Sequence, residues 1–221
     1  MSVLLLVRHG QASWGEADYD RLSALGEEQS RVVGAALSAR GVRPDLVVRG
    51  AMLRHRQTTD AAVDGGAWAA EVVEDAGWDE FDHRQMLELH PSGVGEGEEL
   101  TKAAFQRWFE EATQRWTSGQ FPDEYDESFA DFGARVDAAL HRTVDRLAPS
   151  QTAVVVTSGG PVSWVAATLL GAGAEVWARL NPVTVNSSVT KVVVGRRGAT
   201  LVSFNEHTHL EGQGGRLLSY R

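Results

Sequence analysis

The chain opens on an aliphatic run, Val3-Leu4-Leu5-Leu6-Val7, that ends directly in Arg8-His9-Gly10. Unbroken apolar residues over this length predict a fully buried strand. In open α/β sheets, ligands bind beyond the carboxyl ends of the strands, which is where the triplet falls. An imidazole can act as a nucleophile. The neighbouring guanidinium offers a planar fork of donors suited to phosphate oxygens, and the glycine lets backbone approach a ligand closely. Together they point to a histidine that takes a phosphoryl group.

The pattern downstream alternates strand and helix, which argues for a mostly parallel sheet. A loop runs to about Leu22, and Ser23 is placed to cap a helix ending near Gly41, a good residue for a helix end. Val32, Val33, Ala36 and Leu37 give that helix its apolar face. A short strand follows at Leu46 to Val48, then a helix from about Met52 to Val63, and Val72-Val73 suits a further strand. Gly77 to Gly97 reads as irregular, glycine-rich and acidic. Helices are expected near Glu99 to Trp116 and Ser128 to Leu147, each with aromatic and aliphatic residues at helical spacing. The next strand is Ala153 to Thr157. Pro161 suits the first position of the helix after it, which closes at Gly171. Ser188 to Val194 and Leu201 to Phe204 read as antiparallel strands joined by Gly195-Arg196-Arg197-Gly198. The expected whole is one α/β domain, a mostly parallel mixed sheet flanked by helices, with a helical insertion over residues 84–148.

Composition removes several functions. The chain has 221 residues, 43% hydrophobic, enough for one substantial core. Its formal net charge is −9, which argues against nucleic acid or an anionic membrane as the main partner. There is no cysteine, so disulfides, thiolate catalysis and cysteine metal sites are excluded. No apolar stretch approaches membrane-spanning length, and the first strand begins without a basic leader, so a cytoplasmic location is expected. His207-Thr208-His209 offers two histidines but no third metal ligand, and structural roles are the better assignment.

In such a sheet three strand ends can converge. The first delivers Arg8, His9 and Gly10. The second leads into Gly50-Ala51-Met52-Leu53-Arg54-His55-Arg56-Gln57-Thr58, and the third delivers Ser158, Gly159 and Gly160. Phosphoryl transfer needs positive charge around the equatorial oxygens, an in-line nucleophile and a proton for the leaving oxygen. Arg8 and Arg54 can supply the charge. His9 can supply the nucleophile if its attacking nitrogen is unprotonated. The helix start at Gly159-Gly160 adds backbone donors and a favourable dipole. A carboxyl group can protonate the leaving oxygen, although composition alone does not choose among the many acids. Gln11 and Ser13 are candidates for lining the pocket.

Leu6-Val7-Arg8-His9-Gly10-Gln11 resembles the signature of the histidine phosphatase superfamily, whose fold is phosphoglycerate-mutase-like. Leu22 to Gln29 is similar to that family's segment opening the first helix. Gly50 to Thr58 resembles its Ser-Pro-Leu…Arg…Gln-Thr segment, which puts Arg54 at the phosphate-binding arginine. Trp78-Asp79-Glu80-Phe81-Asp82 resembles the stretch that carries the proton donor, which assigns that role to Glu80, with Asp75, Asp79 and Asp82 as local alternatives. Asn186-Ser187 and Asn205…His209-Leu210 look like the closing strands. The resemblance covers residues 1–82 and 150–210 and fades in the helical insertion. It implies attack by His9 on a small-molecule phosphomonoester, then hydrolysis of the phosphohistidine by water. Glu80 serves as acid and then as base, and neither metal nor cofactor is needed.

Two positions depart from the pattern. Serine stands at 158, where the family usually has a histidine that donates to a phosphoryl oxygen, and Gly50 replaces a usual serine. A serine hydroxyl and the following amides still donate. Losing one preorganised donor costs roughly 10²–10³ in rate, too little to abolish phosphomonoester hydrolysis by itself. His55, His83 and His90 are candidates to replace the missing imidazole. The strand–Ser–Gly–Gly–helix order also resembles a hydrolase elbow, but that turn needs glycine two residues before the serine, and Val156 stands there.

The leading functional reading is a metal-independent phosphomonoesterase with His9 as nucleophile and Glu80 as acid and base. Arg8, Arg54, Ser158 and Gly159 bind the phosphate. A binding module for a phosphorylated ligand, without turnover, is the second reading. A phosphoglycerate mutase is the third. The sequence leaves substrate identity and oligomeric state open.

Overall fold

The computed structural model describes residues 1–13, 20–92, 101–212 and 215–220. The acidic stretch Glu96 to Glu99 lies outside them. The chain divides into two compact units, one of residues 1–80 with 136–221, the other of residues 81–135.

The first unit holds a six-stranded mixed sheet. Its strands are β1 (Ser2–Arg8), β2 (Leu46–Arg49), β3 (Glu71–Glu74), β4 (Thr152–Thr157), β5 (Val189–Gly195) and β6 (Gly198–Glu206), in the order β3-β2-β4-β1-β5-β6. The pairs β2/β3, β2/β4 and β1/β4 are parallel, whereas β1/β5 and β5/β6 are antiparallel. Two consequences of that order matter for the site. β1 lies between β4 and β5, so both its edges are paired, and Leu4 to Val7, pointing alternately to the two faces, are all buried, as an unbroken aliphatic run requires. β1, β2 and β4 are parallel, so they deliver Arg8, Arg49 and Thr157 to one edge, with Arg8 opposite Thr157 and Arg49 opposite Val156.

Alternation along these strands sorts the core into two layers. Leu5 and Val7 of β1, Val47 of β2, and Val154 and Val156 of β4 pack with Val33 and Leu37 of α1 (Ala24–Ala39) and Ala62 of α2 (Leu53–Gly66). Leu4, Leu6, Val48, Ala153 and Val155 point to the opposite face and are equally buried. α6 (Gly159–Leu169) adds buried Val162, Val165 and Ala166. Helices α1 and α2 approach backbone to backbone. A Cβ on Gly34 would lie 2.0 Å from the Ala62 carbonyl oxygen, and one on Gly65 would lie 2.3 Å from that of Arg31.

In the second unit, α3 (His83–Glu88) and α4 (Lys102–Thr117) precede the start of α5 (Phe129–Asp145). Phe81 stacks on Trp116 at 4.7 Å, and Trp116 meets Phe129 edge-on at 5.0 Å.

The expected elements form within a few residues of their predicted limits, with informative differences. The segment predicted as irregular contains α3, whose amides at Arg84 and Gln85 are capped by the Asp82 carboxylate. Six residues are too few to show helical periodicity. Helix α6 starts at Gly159, two residues before Pro161, with Ser158 as its N-cap. The seven-residue helix α7 (Ala174–Leu180) has no counterpart in the sequence reading. Among the described residues no helix is long and apolar enough to cross a membrane.

Gly34→Ala should force α1 from α2 and destabilise the fold by about 1–3 kcal/mol, the usual cost of overpacking. At about 2–4 °C per kcal/mol for a chain of this size, thermal unfolding should move down by several degrees. An unchanged midpoint would show that the helix contact is looser than the geometry described.

Candidate active site

Loop chemistry at the end of β1 fixes the triplet in place. The Gly10 amide donates to Thr58 Oγ1 at 3.0 Å, and the Gln11 amide to Gln29 Oε1 at 2.8 Å. A side chain at Gly10 would collide with the Gly26 carbonyl oxygen, 2.2 Å from the Cβ position. Glycine is therefore required here by a close approach to α1. On the other side, Asn186 Nδ2 donates to the His9 carbonyl at 3.1 Å, and the Ser187 amide is shared between the Arg8 and His9 carbonyls. Thr58 of α2, Gln29 of α1 and Asn186 in the turn before β5 thus hold the backbone from three parts of the chain.

His9 is 5% exposed. Its Nδ1 lies 2.7 Å from the Gly10 carbonyl oxygen. A carbonyl only accepts, so Nδ1 carries the proton and Nε2 keeps its lone pair. Burial holds the imidazole well below its ordinary value of 6.5, and the Arg54 and Arg8 guanidiniums and the His55 ring push the same way; the Gly10 bond opposes them. At neutral pH His9 is uncharged, with one nitrogen oriented and the other basic.

The arginines are built in by different means. Arg54, in the first turn of α2, is 6% exposed. Its Nη1 meets Asp20 Oδ1 at 2.6 Å, while the other oxygen of Asp20 accepts from the Leu53 amide at 2.7 Å. One carboxylate therefore caps α2 and orients the guanidinium. Arg8 Nη1 donates to the carbonyls of Thr184 and Tyr220. Gly159 faces this guanidinium, since a Cβ there would sit 3.5 Å from Arg8 Nε and 2.8 Å from Asn181 Oδ1.

The candidate acids have separate positions. Glu80 Oε2 accepts from the Gly160 amide at 3.1 Å, at the positive end of α6. Asp75 pairs with Arg142 at 2.8 Å. Asp82 caps α3. Asp79 Oδ1 accepts from the Ala51 amide at 2.7 Å and lies 3.5 Å from His55 Nδ1. Burial pushes the Asp79 carboxyl up, but His55 and the Ala51 and Met52 amides outweigh it and leave it below its ordinary value.

Ser158 is fully buried and makes no capping bond to α6. Its Oγ lies 2.7 Å from Nε2 of His55, which is itself fully buried. The His55 and His9 ring centroids are 5.7 Å apart. The structure thus brings His9, Arg8, Arg54, Glu80, Ser158 and Gly159 to one edge of the first unit's sheet, and adds His55, Asp79 and Asp20. Asp20 carries no motif, and only its place in space reveals it; Asp79 stands in the acidic motif as an alternative to Glu80, and the structure places it against His55 instead. Gln11 and Ser13 lie in the loop after β1. The Gln11 side chain accepts from Ser23 Oγ at 3.1 Å, and the Ser13 amide donates to the Arg21 carbonyl at 2.7 Å. His207 Nδ1 and His209 Nε2 each meet a backbone carbonyl, those of Asn205 and Ser187. Among the described residues no three metal-binding side chains gather.

The sequence matches the histidine phosphatase superfamily (branch 1) over residues 4–207, and the chain belongs to that family. It is 29% identical over 181 residues to the 2,3-bisphosphoglycerate-dependent phosphoglycerate mutase of Chelativorans sp. (strain BNC1), covering 78% of this chain and 83% of that one. Among solved structures, it resembles a phosphoserine phosphatase mutant from Entamoeba histolytica in complex with phosphoserine. The TM-score is 0.68 at 20% identity, over 95% of this chain and all of that one. It also resembles a mycobacterial glucosyl-3-phosphoglycerate phosphatase complexed with VO3, at a TM-score of 0.67 and 22% identity, over 93% of this chain and 99% of that one.

The two buried histidines tie stability to pH. Burial also lowers His55, with Arg54 adding, against the opposing pull of Asp79 and Asp20. The unfolded chain therefore binds protons at these imidazoles before the folded chain does. Their contribution is fully present above about 6.5 and is lost as pH falls below that value towards the folded values, at up to about 1.4 kcal/mol per pH unit for each histidine. Thermal midpoints should fall as pH drops from about 7 to about 5, less steeply in His55→Gln. Equal slopes in the two proteins would contradict this.

Proposed function

We propose that this chain is a metal-independent phosphomonoester hydrolase that works through a phosphohistidine on His9. The observation that carries the reading is the buried His9 imidazole, pinned through Nδ1 to the Gly10 carbonyl, with burial and the Arg54 and Arg8 guanidiniums holding it below its ordinary value. The Nε2–P bond forms as the ester P–O bond breaks, and the leaving oxygen takes a proton from the Glu80 carboxyl. Water then attacks phosphorus, gives a proton to Glu80, and the N–P bond breaks. Arg8, Arg54 and the amides at the start of α6 carry the charge on the equatorial oxygens. Neighbours with this fold are crystallised with phosphoserine and with VO3, which supports a small phosphorylated metabolite as substrate. The mutase relative supports a second reading, phosphoryl return to a phosphoglycerate.

Phosphate release from p-nitrophenyl phosphate should be detectable in the wild type. It should fall by at least about 10³-fold in His9→Ala and by about 10²–10⁴-fold in Glu80→Gln. Turnover indifferent to His9 would overturn the reading. Interconversion of phosphoglycerates without net phosphate release would favour the mutase.

A further inference from the structure

Three unusual residues of this site are one construction. A Cβ at Gly50 would lie 2.2 Å from His55 Nδ1 and 2.5 Å from Asp79 Oδ1, so the serine that the family pattern places at 50 is incompatible with the His55 ring and the Asp79 carboxylate as they stand. Glycine at 50 opens the space, and His55 fills it. At its other end the ring meets Ser158, the residue in place of the family's histidine, at 2.7 Å. The departures at 50 and 158 therefore meet on one imidazole, 5.7 Å from the nucleophilic ring.

The partners dictate how this imidazole is protonated. Asp79 is a carboxylate held by the Ala51 and Met52 amides, so the nitrogen facing it, Nδ1, carries the proton. Nε2 then accepts from the Ser158 hydroxyl. The groups facing His55 are Asp79 from the segment after β3, Asp20 from the loop before α1, Arg54 on its own helix, His9 at the end of β1 and Ser158 at the start of α6. Two carboxylates stand against one guanidinium. Burial, with Arg54 adding, keeps the ring neutral against the two carboxylates, and a dianion arriving beside His9 shifts that balance towards the imidazolium.

We propose that His55 supplies the second imidazole of this site, taking a proton from solvent when a phosphoryl group binds beside His9 and acting through Ser158. The inference rests on the hydrolase reading for its role in turnover. In the charged state Nδ1–H faces Asp79, Nε2–H donates to Ser158 Oγ, and the serine proton, no longer held by Nε2, turns towards a new acceptor. His55 is a positioning residue, since it is fully buried and acts through the serine and through its charge.

Inorganic sulfate is the probe for binding, because it is dianionic and does not titrate near neutrality. Calorimetry in two buffers of different ionisation enthalpy should show proton uptake on sulfate binding at about pH 7.5. Uptake should persist in His9→Asn, shrink in Asp79→Asn and vanish in His55→Gln. No uptake by the wild type overturns the proposal without recourse to any variant, and so does uptake that survives in His55→Gln. If His55→Gln does not fold, undiminished uptake in Asp79→Asn overturns it. In turnover, His55→Gln should lose about 10²-fold in kcat for p-nitrophenyl phosphate, with the acid limb of its pH profile displaced. The exchange His55→Ala with Ser158→His should recover at least tenfold over His55→Ala alone. Hydrolysis of p-nitrophenyl acetate that needs Ser158 and His55 but ignores His9 would overturn the proposal by making the serine a nucleophile. Phosphatase turnover that ignores His9 would defeat the hydrolase reading and leave sulfate-linked proton uptake to be judged separately.

Discussion

The bond from His9 Nδ1 to the Gly10 carbonyl is the constraint on which the site's chemistry depends. It fixes the tautomer, leaves Nε2 with its lone pair, and requires the backbone at residue 10 to follow one path. That path is held by Thr58 of α2, Gln29 of α1 and Asn186 in the turn before β5, and it is possible only because residue 10 has no side chain to strike α1. Parallel pairing of β1 with β4 then sets Arg8 beside Thr157, so the triplet and the start of α6 share one edge.

Charge around this imidazole is arranged so that the resting site is poised for an anion. Burial, helped by two guanidiniums, keeps His9 neutral, which preserves the lone pair. The arginines are themselves oriented before any ligand arrives, Arg54 by Asp20 and Arg8 by backbone carbonyls. Prepaid orientation of this kind lets a site stabilise transition-state charge without reorganising during the reaction. The amides at the start of α6 add donors that need no side chain, and Glu80 already sits against one of them.

The centre of the sheet was legible in the sequence because β1, β2 and β4 are built on continuous aliphatic runs bounded by turn residues, a signal that survives without context. The end of β1 was legible for the same reason, since Arg8-His9-Gly10 follows such a run directly. Helices α3 and α7 were not, because six and seven residues are too few for periodicity to show. Asp20 was also hidden, and so was the part taken by Asp79, which the acidic motif offers only as an alternative to Glu80. Each acts by capping the start of α2 while holding a side chain beside it, and nothing in a one-dimensional pattern marks which acid does so. His55 stood in plain view within the arginine segment. The clash between a side chain at Gly50 and its ring is what connects it to Ser158.

The central claim is that His9 itself carries the phosphoryl group. The direct measurement is to mix enzyme with p-nitrophenyl phosphate, quench in alkali within the first turnovers, digest, and locate the phosphorylated peptide by mass spectrometry. The account predicts an acid-labile, alkali-stable phosphoryl group on the peptide containing His9, accumulating in Glu80→Gln, where water is less well activated. Steady phosphate release with an unmodified His9 peptide under the same quench, or an acid-stable adduct on Ser158, would contradict it.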